Sequence, residues 1–236
     1  CRGLLGNESL PRSLEPRAHD TLVRSLISVL DNEAFAKLDP EARSLWLEES
    51  RLAVIEMNEL YPGNRMSAAA TLRLAEVYTD ALGDADKAVE LFDSVARDPS
   101  ASAESILTAR IGLARAYVVG GDTLRAREEF SRLALDTSSP STQSRANYHL
   151  GRIDFMGGEY SQAEDRLKAV ALKSPRASFT NDALNLAILI AEEEFGGAPD
   201  EEGLKMSGVM LYQRSTHQRE EMAATLAAIA ERDMSP

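Results

Sequence analysis

From about residue 66 to residue 177 the apolar positions recur every three to four residues, the period of amphipathic helices, with polar breaks between blocks. The breaks rhyme. Gly83-Asp84-Ala85-Asp86-Lys87-Ala88, Gly121-Asp122-Thr123-Leu124-Arg125-Ala126 and Gly158-Glu159-Tyr160-Ser161-Gln162-Ala163 follow one another at spacings of 38 and 37 residues. Four positions after each closing alanine comes a large apolar residue: Phe92, Phe130 and Leu167. Self-similarity at this period predicts helical hairpins stacked side by side.

The residues around each hexapeptide fit that reading. A helix is predicted before each one, running through Leu74 and Tyr78, Leu113 and Tyr117, and Leu150 and Phe155. Ala75, Ala114 and Gly151 follow those leucines, small enough for the second helix of the hairpin to come close. Asp84 and Asp122 stand where a carboxylate can accept the free N–H groups of the next helix, and the glycines before them suit the end of the previous one. Ala88, Ala126 and Ala163 are predicted to face the first helix, with Phe92, Phe130 and Leu167 filling the layer toward the neighbouring hairpin. Turns are predicted at Pro99, Pro140 and Pro175.

These residues resemble the tetratricopeptide-repeat family, whose pattern is Leu-Gly-x2-Tyr, Ala-x3-Phe and a late Pro. The second unit carries Leu113-Ala114-x2-Tyr117, Ala126-x3-Phe130 and Pro140. The third has Leu150-Gly151, Ala163-x3-Leu167 and Pro175, with Asp154 in place of the tyrosine. The first has Leu74-Ala75-x2-Tyr78, Ala88-x3-Phe92 and Pro99, with one extra residue between tyrosine and alanine. The resemblance implies an all-α fold, a right-handed superhelical solenoid of antiparallel helix hairpins. It divides the chain into three repeats at 66–177, a degenerate capping hairpin at 18–65 and degenerate C-terminal helices at 178–236.

In the flanks, helices are expected from about His19 to Leu30, from Asp39-Pro40-Glu41 to Leu60, and from Asn181 to Phe195, where Gly196-Gly197-Ala198-Pro199 breaks the chain. The helix after Pro40 is expected to run through Trp46, Leu52, Ile55 and Leu60 and to stop at Tyr61-Pro62-Gly63. Two more helices are expected at about Asp200–Tyr212 and Gln218–Arg232, the last suited to a cap, with Met222, Leu226 and Ile229 on one side and charges on the other.

Charge narrows the class. The net charge is −12 and disfavours non-specific nucleic-acid binding, which needs lysine and arginine to displace counterions. Residues 181–236 alone carry a net charge of −7, whereas residues 121–180 carry +1. The sole cysteine is Cys1, which excludes an internal disulfide and a cysteine-based zinc site. A lone cysteine at the first position is also what a lipidated bacterial envelope protein presents, so Cys1 is a candidate lipid-attachment site. The alternative is a boundary introduced by cloning. Residues 1–17, with Gly3, Gly6, Pro11 and Pro16, are expected to form a flexible tether with a mean reach of roughly 20–25 Å.

No catalytic constellation stands out. His19, His149 and His217 lack metal-ligand spacing, and Asp84-x-Asp86 is explained by capping. No cofactor, metal or small-molecule substrate is expected. In repeat arrays the first helices of the hairpins line a concave groove. The resemblance implies a peptide or protein ligand there, along a face that includes Arg115, Val118, Arg145, Tyr148, Arg152 and Phe155. Arginines beside aromatics could hold an acidic or C-terminal segment, unless they pair with nearby acids such as Asp154 or Glu128.

The sequence therefore predicts a non-enzymatic protein-interaction scaffold. By size, repeats and Cys1 it is similar to bacterial repeat lipoproteins, at the periplasmic face of a membrane, the outer membrane being favoured. A permanent structural subunit of a large envelope or electron-transfer complex, or a repeat domain cut from a longer cytoplasmic protein, are the alternatives.

Overall fold

A computed structural model describes residues 15–30, 37–62, 64–136, 138–195 and 200–233, and every regular element in them is helical. Eleven α-helices follow in order: α1 (Glu15–Leu30), α2 (Pro40–Leu60), α3 (Arg65–Val77), α4 (Ala85–Ala96), α5 (Ala103–Val119), α6 (Thr123–Leu135), α7 (Pro140–Met156), α8 (Tyr160–Lys173), α9 (Thr180–Phe195), α10 (Glu201–Ser215) and α11 (Arg219–Asp233). They pack mainly with their neighbours in sequence, as a helical-repeat array requires. Cys1, the first fourteen residues of the expected tether and the expected break at 196–199 lie outside the described residues. Among the described residues no helix is long and apolar enough to cross a membrane. The chain forms two compact units that divide within α5, after Ala116.

In the first unit α1 packs on α2 and α3, and α3 packs on α4. Val23 and Ile27 of α1, Val54 and Met57 of α2, and Leu74, Tyr78 and Phe92 are buried together as its core. Polar ties set the register of α2 against α3: the Ser67 hydroxyl donates to the Met57 carbonyl at 3.1 Å, and Asn58 Nδ2 donates to Thr71 Oγ1 at 3.0 Å.

The face that α2 buries is not the one that carries its exposed leucines. Ser50, Ala53, Val54 and Met57 are buried, while Leu52, Ile55 and Leu60 are exposed, as is Leu45. The helix is apolar on several sides, so periodicity alone does not choose. Close approach does, because Ser50 and Ala53 are small enough for a neighbouring helix to lie against them, which leucine is not.

The extra residue of the first repeat is absorbed by a π-helical turn, Tyr78–Leu82, that continues α3. One added residue in a helix widens one turn instead of breaking the ladder. Gly83 closes it in the left-handed conformation (φ 67°), and the Asp84 amide donates to the Tyr78 carbonyl at 2.9 Å. Where no residue is added, Asp122 and Glu159 donate at the same 2.9 Å to the carbonyls of Tyr117 and Asp154. The three hexapeptides therefore make one junction. Asp84 accepts from the Lys87 amide and Asp122 from the Arg125 amide, whereas Glu159 makes no side-chain capping bond.

The small positions behave as expected. Ala88, Ala126 and Ala163 are fully buried. A Cβ on Gly151 would sit 2.8 Å from Leu167 Cγ, and one on Gly112 would overlap the Phe92 ring. Phe92 therefore reaches α5, and the Phe130 ring stacks on His149 of α7, 4.7 Å between centroids, so both fill layers between successive hairpins.

In the second unit α7 packs on α6, α8 and α10, and α8 on α9. Tyr148, Phe155, Leu167, Val170, Phe179, Ala187, Ile190 and Leu204 share one core. None of the described side chains of α11 is buried, and Leu226, on its apolar side, is exposed. That helix is held to α10 by Thr225, which donates to Gln213 Oε1 at 2.9 Å, and by a two-pronged pair in which Arg232 grips Asp200, the N-cap of α10.

Candidate functional site

The six residues first expected to bind a ligand meet different fates. Phe155 is a core residue, 1% exposed, with its ring edge-on to Tyr160. Tyr148 is also buried, stacked on Phe179, with its hydroxyl 3.5 Å from an Asp182 carboxylate oxygen. Burial pushes that hydroxyl above the usual phenolic range, since the phenolate would lose its hydration. Arg152 lies over the Tyr148 ring, 5.8 Å from its centroid, and donates to Ser215 Oγ of α10 at 3.0 Å. Arg145 is exposed on α7, and Val118 is half-buried on α5. Arg115, in the first unit, pairs with Asp80 of the π turn.

The structure thus brings Tyr148, Arg152 and Phe155 together, but as packing. Helix α10 lies on this end of α7: a Cβ on Gly208 would be 3.2 Å from the Phe155 carbonyl oxygen. Sequence reasoning missed this because α10 comes from outside the repeats, and no local pattern states where it docks.

An open recess lies along α7 and α8. It encloses about 900 Å³, within the size range of ligand sites. Gln143, Ser144 and Asn147 contribute from α7. The residues from Gly158 to Gln162, then Asp165, Arg166, Ala169, Val170 and Lys173, contribute from α8 and the turn before it. The lining is amphipathic, with amides and charges beside the Tyr160 ring and the Ala169 and Val170 side chains. A hint was legible in the sequence: Gln162, Arg166 and Lys173 fall on one face of α8, and Gln143 and Asn147 on one face of α7.

The polar part of the recess is already ordered. Asp154 is fully buried and holds two guanidinium groups, one on each carboxylate oxygen: Arg127 from α6 and Arg166 from α8, the latter at 2.9 Å. Arg166 also donates to Asn147 Oδ1 at 3.1 Å, and Asn147 Nδ2 donates to the Gln143 carbonyl at 2.9 Å. Gln143 Nε2 in turn donates to the Ala134 carbonyl at the end of α6, at 2.8 Å. A buried carboxylate is tolerated only when paired and hydrogen-bonded, and here both oxygens are engaged. The arginines on Asp154 are thus not the ones anticipated. Glu128 and Glu129 engage Arg132 on their own helix.

Burial raises the Tyr160 hydroxyl above its usual range, and the Glu201 and Glu202 carboxylates add to the effect. Among the described residues no group of three or more His, Cys, Asp or Glu is placed to hold a metal. This arrangement offers hydrogen bonds and charges to a ligand.

No curated protein and no solved structure matches the chain. Residues 69–100, covering most of α3, the π turn, all of α4 and the turn after it, match the family model of the tetratricopeptide repeat.

Proposed function

We propose that this chain is a non-enzymatic adaptor that docks a protein partner, as an extended segment, in the recess between α7 and α8. The observation that carries the reading is the preordered hydrogen-bonded floor of that recess, set in a stack of helical hairpins. A surface already ordered before binding loses little conformational freedom when a partner arrives. The tetratricopeptide repeat at 69–100 supports the same class of function, since such repeats serve protein–protein interaction.

Ala169 lines the recess and is exposed, so Ala169→Arg fills it without disturbing the core. Affinity capture from native extract with the wild type should enrich a partner that Ala169→Arg loses while its melting curve stays unchanged. An identical partner set on both proteins overturns the reading. Arg145→Glu tests the face first expected to bind, where Arg145 remains exposed.

A location in the bacterial cell envelope, with lipid on Cys1, belongs to this proposal on the strength of the sequence alone. Intact-mass measurement of the native protein tests it: a diacylglyceryl thioether on Cys1 supports it, and a longer native chain or an unmodified cysteine defeats it. The apolar side chains that α2 and α9 leave exposed, among them Leu45, Leu52, Leu184 and Ile188, favour a second reading, a permanent subunit of a larger complex. Native size measurement after gentle extraction separates the two, because a permanent subunit never elutes at the mass of the single chain.

A further inference from the structure

The charges along the recess are sorted. At the start of α8 it presents the exposed Glu159, beside Tyr160, on whose hydroxyl Glu201 and Glu202 of α10 act. At the end of α8 it presents Lys173, and at mid-helix Asp165 and Arg166 stand side by side. Arg166 shares the buried Asp154 carboxylate with Arg127, so with Asp165 the middle of the floor is balanced, two guanidiniums against two carboxylates. From Glu159 to Lys173 the helix advances roughly 21 Å, which an extended chain covers in about six residues. Between Arg166 and Lys173 the lining residues Ala169 and Val170 carry no charge.

We propose that the recess receives a peptide segment with opposite charges at its two ends, basic side chains at the Glu159 end and acidic ones at the Lys173 end. The inference rests on the docking reading above and adds the chemistry of the partner. Charge complementarity along a groove fixes orientation and register more than raw affinity, because exposed ion pairs are individually weak. A segment with the reverse polarity meets like charges at both ends. A uniformly acidic or uniformly basic segment meets repulsion at one end.

The test is to pan a displayed library of random decapeptides against the full chain, with Ala169→Arg protein for counter-selection. Expected are sequences in which Lys or Arg stands about six positions from Asp or Glu. A synthetic peptide of the enriched sequence should bind Lys173→Glu and Glu159→Lys proteins roughly tenfold more weakly, by fluorescence polarisation, since each variant turns an attraction into a repulsion. The same peptide with the facing charge reversed should regain affinity for the matching variant. Enrichment without charge polarity, or an affinity that neither reversal moves, overturns this inference and leaves the docking site standing. No enrichment over the Ala169→Arg protein overturns the docking site itself.

Discussion

Tyr78 and Asp154 hold the same place in their hairpins, one turn past the small residue of the first helix, and they fill it by opposite chemistry. Tyr78 is buried as an aromatic ring with the Lys87 ammonium 5.3 Å from its centroid, and Lys87 itself is tied to the capping Asp84. Asp154 is buried as a carboxylate that draws one arginine from each flanking helix. The backbone junction is common to both, since each residue's carbonyl accepts from the amide that follows the left-handed glycine. The position thus demands a filled, satisfied junction, and it does not dictate by what. The choice has consequences. The aromatic version needs only its own hairpin, whereas the carboxylate version ties α6, α7 and α8 together and fixes an arginine on the floor of the recess.

The comparison breaks most sharply at the two side chains themselves. Asp154→Ala leaves two guanidiniums without their shared partner and should lower the unfolding free energy in urea by about 3 kcal/mol, the lower part of the range for a broken buried pair because both arginines are partly exposed. Tyr78→Phe keeps the buried ring and should change stability by less than about 0.5 kcal/mol in the same assay. If the two variants lose equal stability, the distinction between charge-built and aromatic junctions is wrong.

The small positions come next. Gly112→Ala drives a methyl group into the Phe92 ring and should cost about 2 kcal/mol, with Phe92→Leu in the same chain recovering part of the loss. Gly151→Ala brings its methyl group against Leu167 Cγ at 2.8 Å, a smaller overlap than the 2.2 Å at the Phe92 ring, and should cost less, about 1 kcal/mol. A Gly151 loss as large as that of Gly112 would mean that Leu167 is as fixed as the ring.

The caps offer a finer contrast. Asp84→Ala and Asp122→Ala should each cost about 1 kcal/mol, and Glu159→Ala close to none, because only the aspartates accept an amide hydrogen bond. Glu159→Asp should then raise the melting temperature by shortening the side chain to capping length.

The smallest effect is at the C-terminal helix. Hydrogen bonds from Arg232 and from the Gly203 amide hold the Asp200 carboxyl below the usual carboxylate range. A depressed acid stabilises the folded form above its unfolded value, near pH 4, and that contribution is lost as pH falls through the folded value. Protection of the α11 amides, relative to those of α8, should fall with acidification through that window. In Arg232→Gln the pH dependence should largely vanish, and a dependence that survives the substitution assigns it to another group.

How much was legible depended on whether the determinant was local. The capping aspartates, the left-handed glycines, and the alanines and glycines at close approaches all act within a few residues of themselves, and the spacing exposed them. The fate of the binding face was not local. Tyr148, Arg152 and Phe155 have the spacing of a ligand-facing stripe, yet Phe155 and Tyr148 are consumed by packing against α9 and α10, and Arg152 by Ser215. The buried face of α2 was not legible for the related reason that several of its faces are apolar and only neighbours choose among them.

The helices, their caps and the repeated hairpin follow from the order of neighbouring residues, because backbone hydrogen bonding and side-chain size act over one turn of chain. That Asp154 is an anchor between three helices, that the extra residue before Asp84 becomes a π turn, and which face of α7 stays open emerge only once the helices are packed. Burial and charge pairing depend on which side chains arrive from residues distant in sequence, and that is written in no single stretch of the chain.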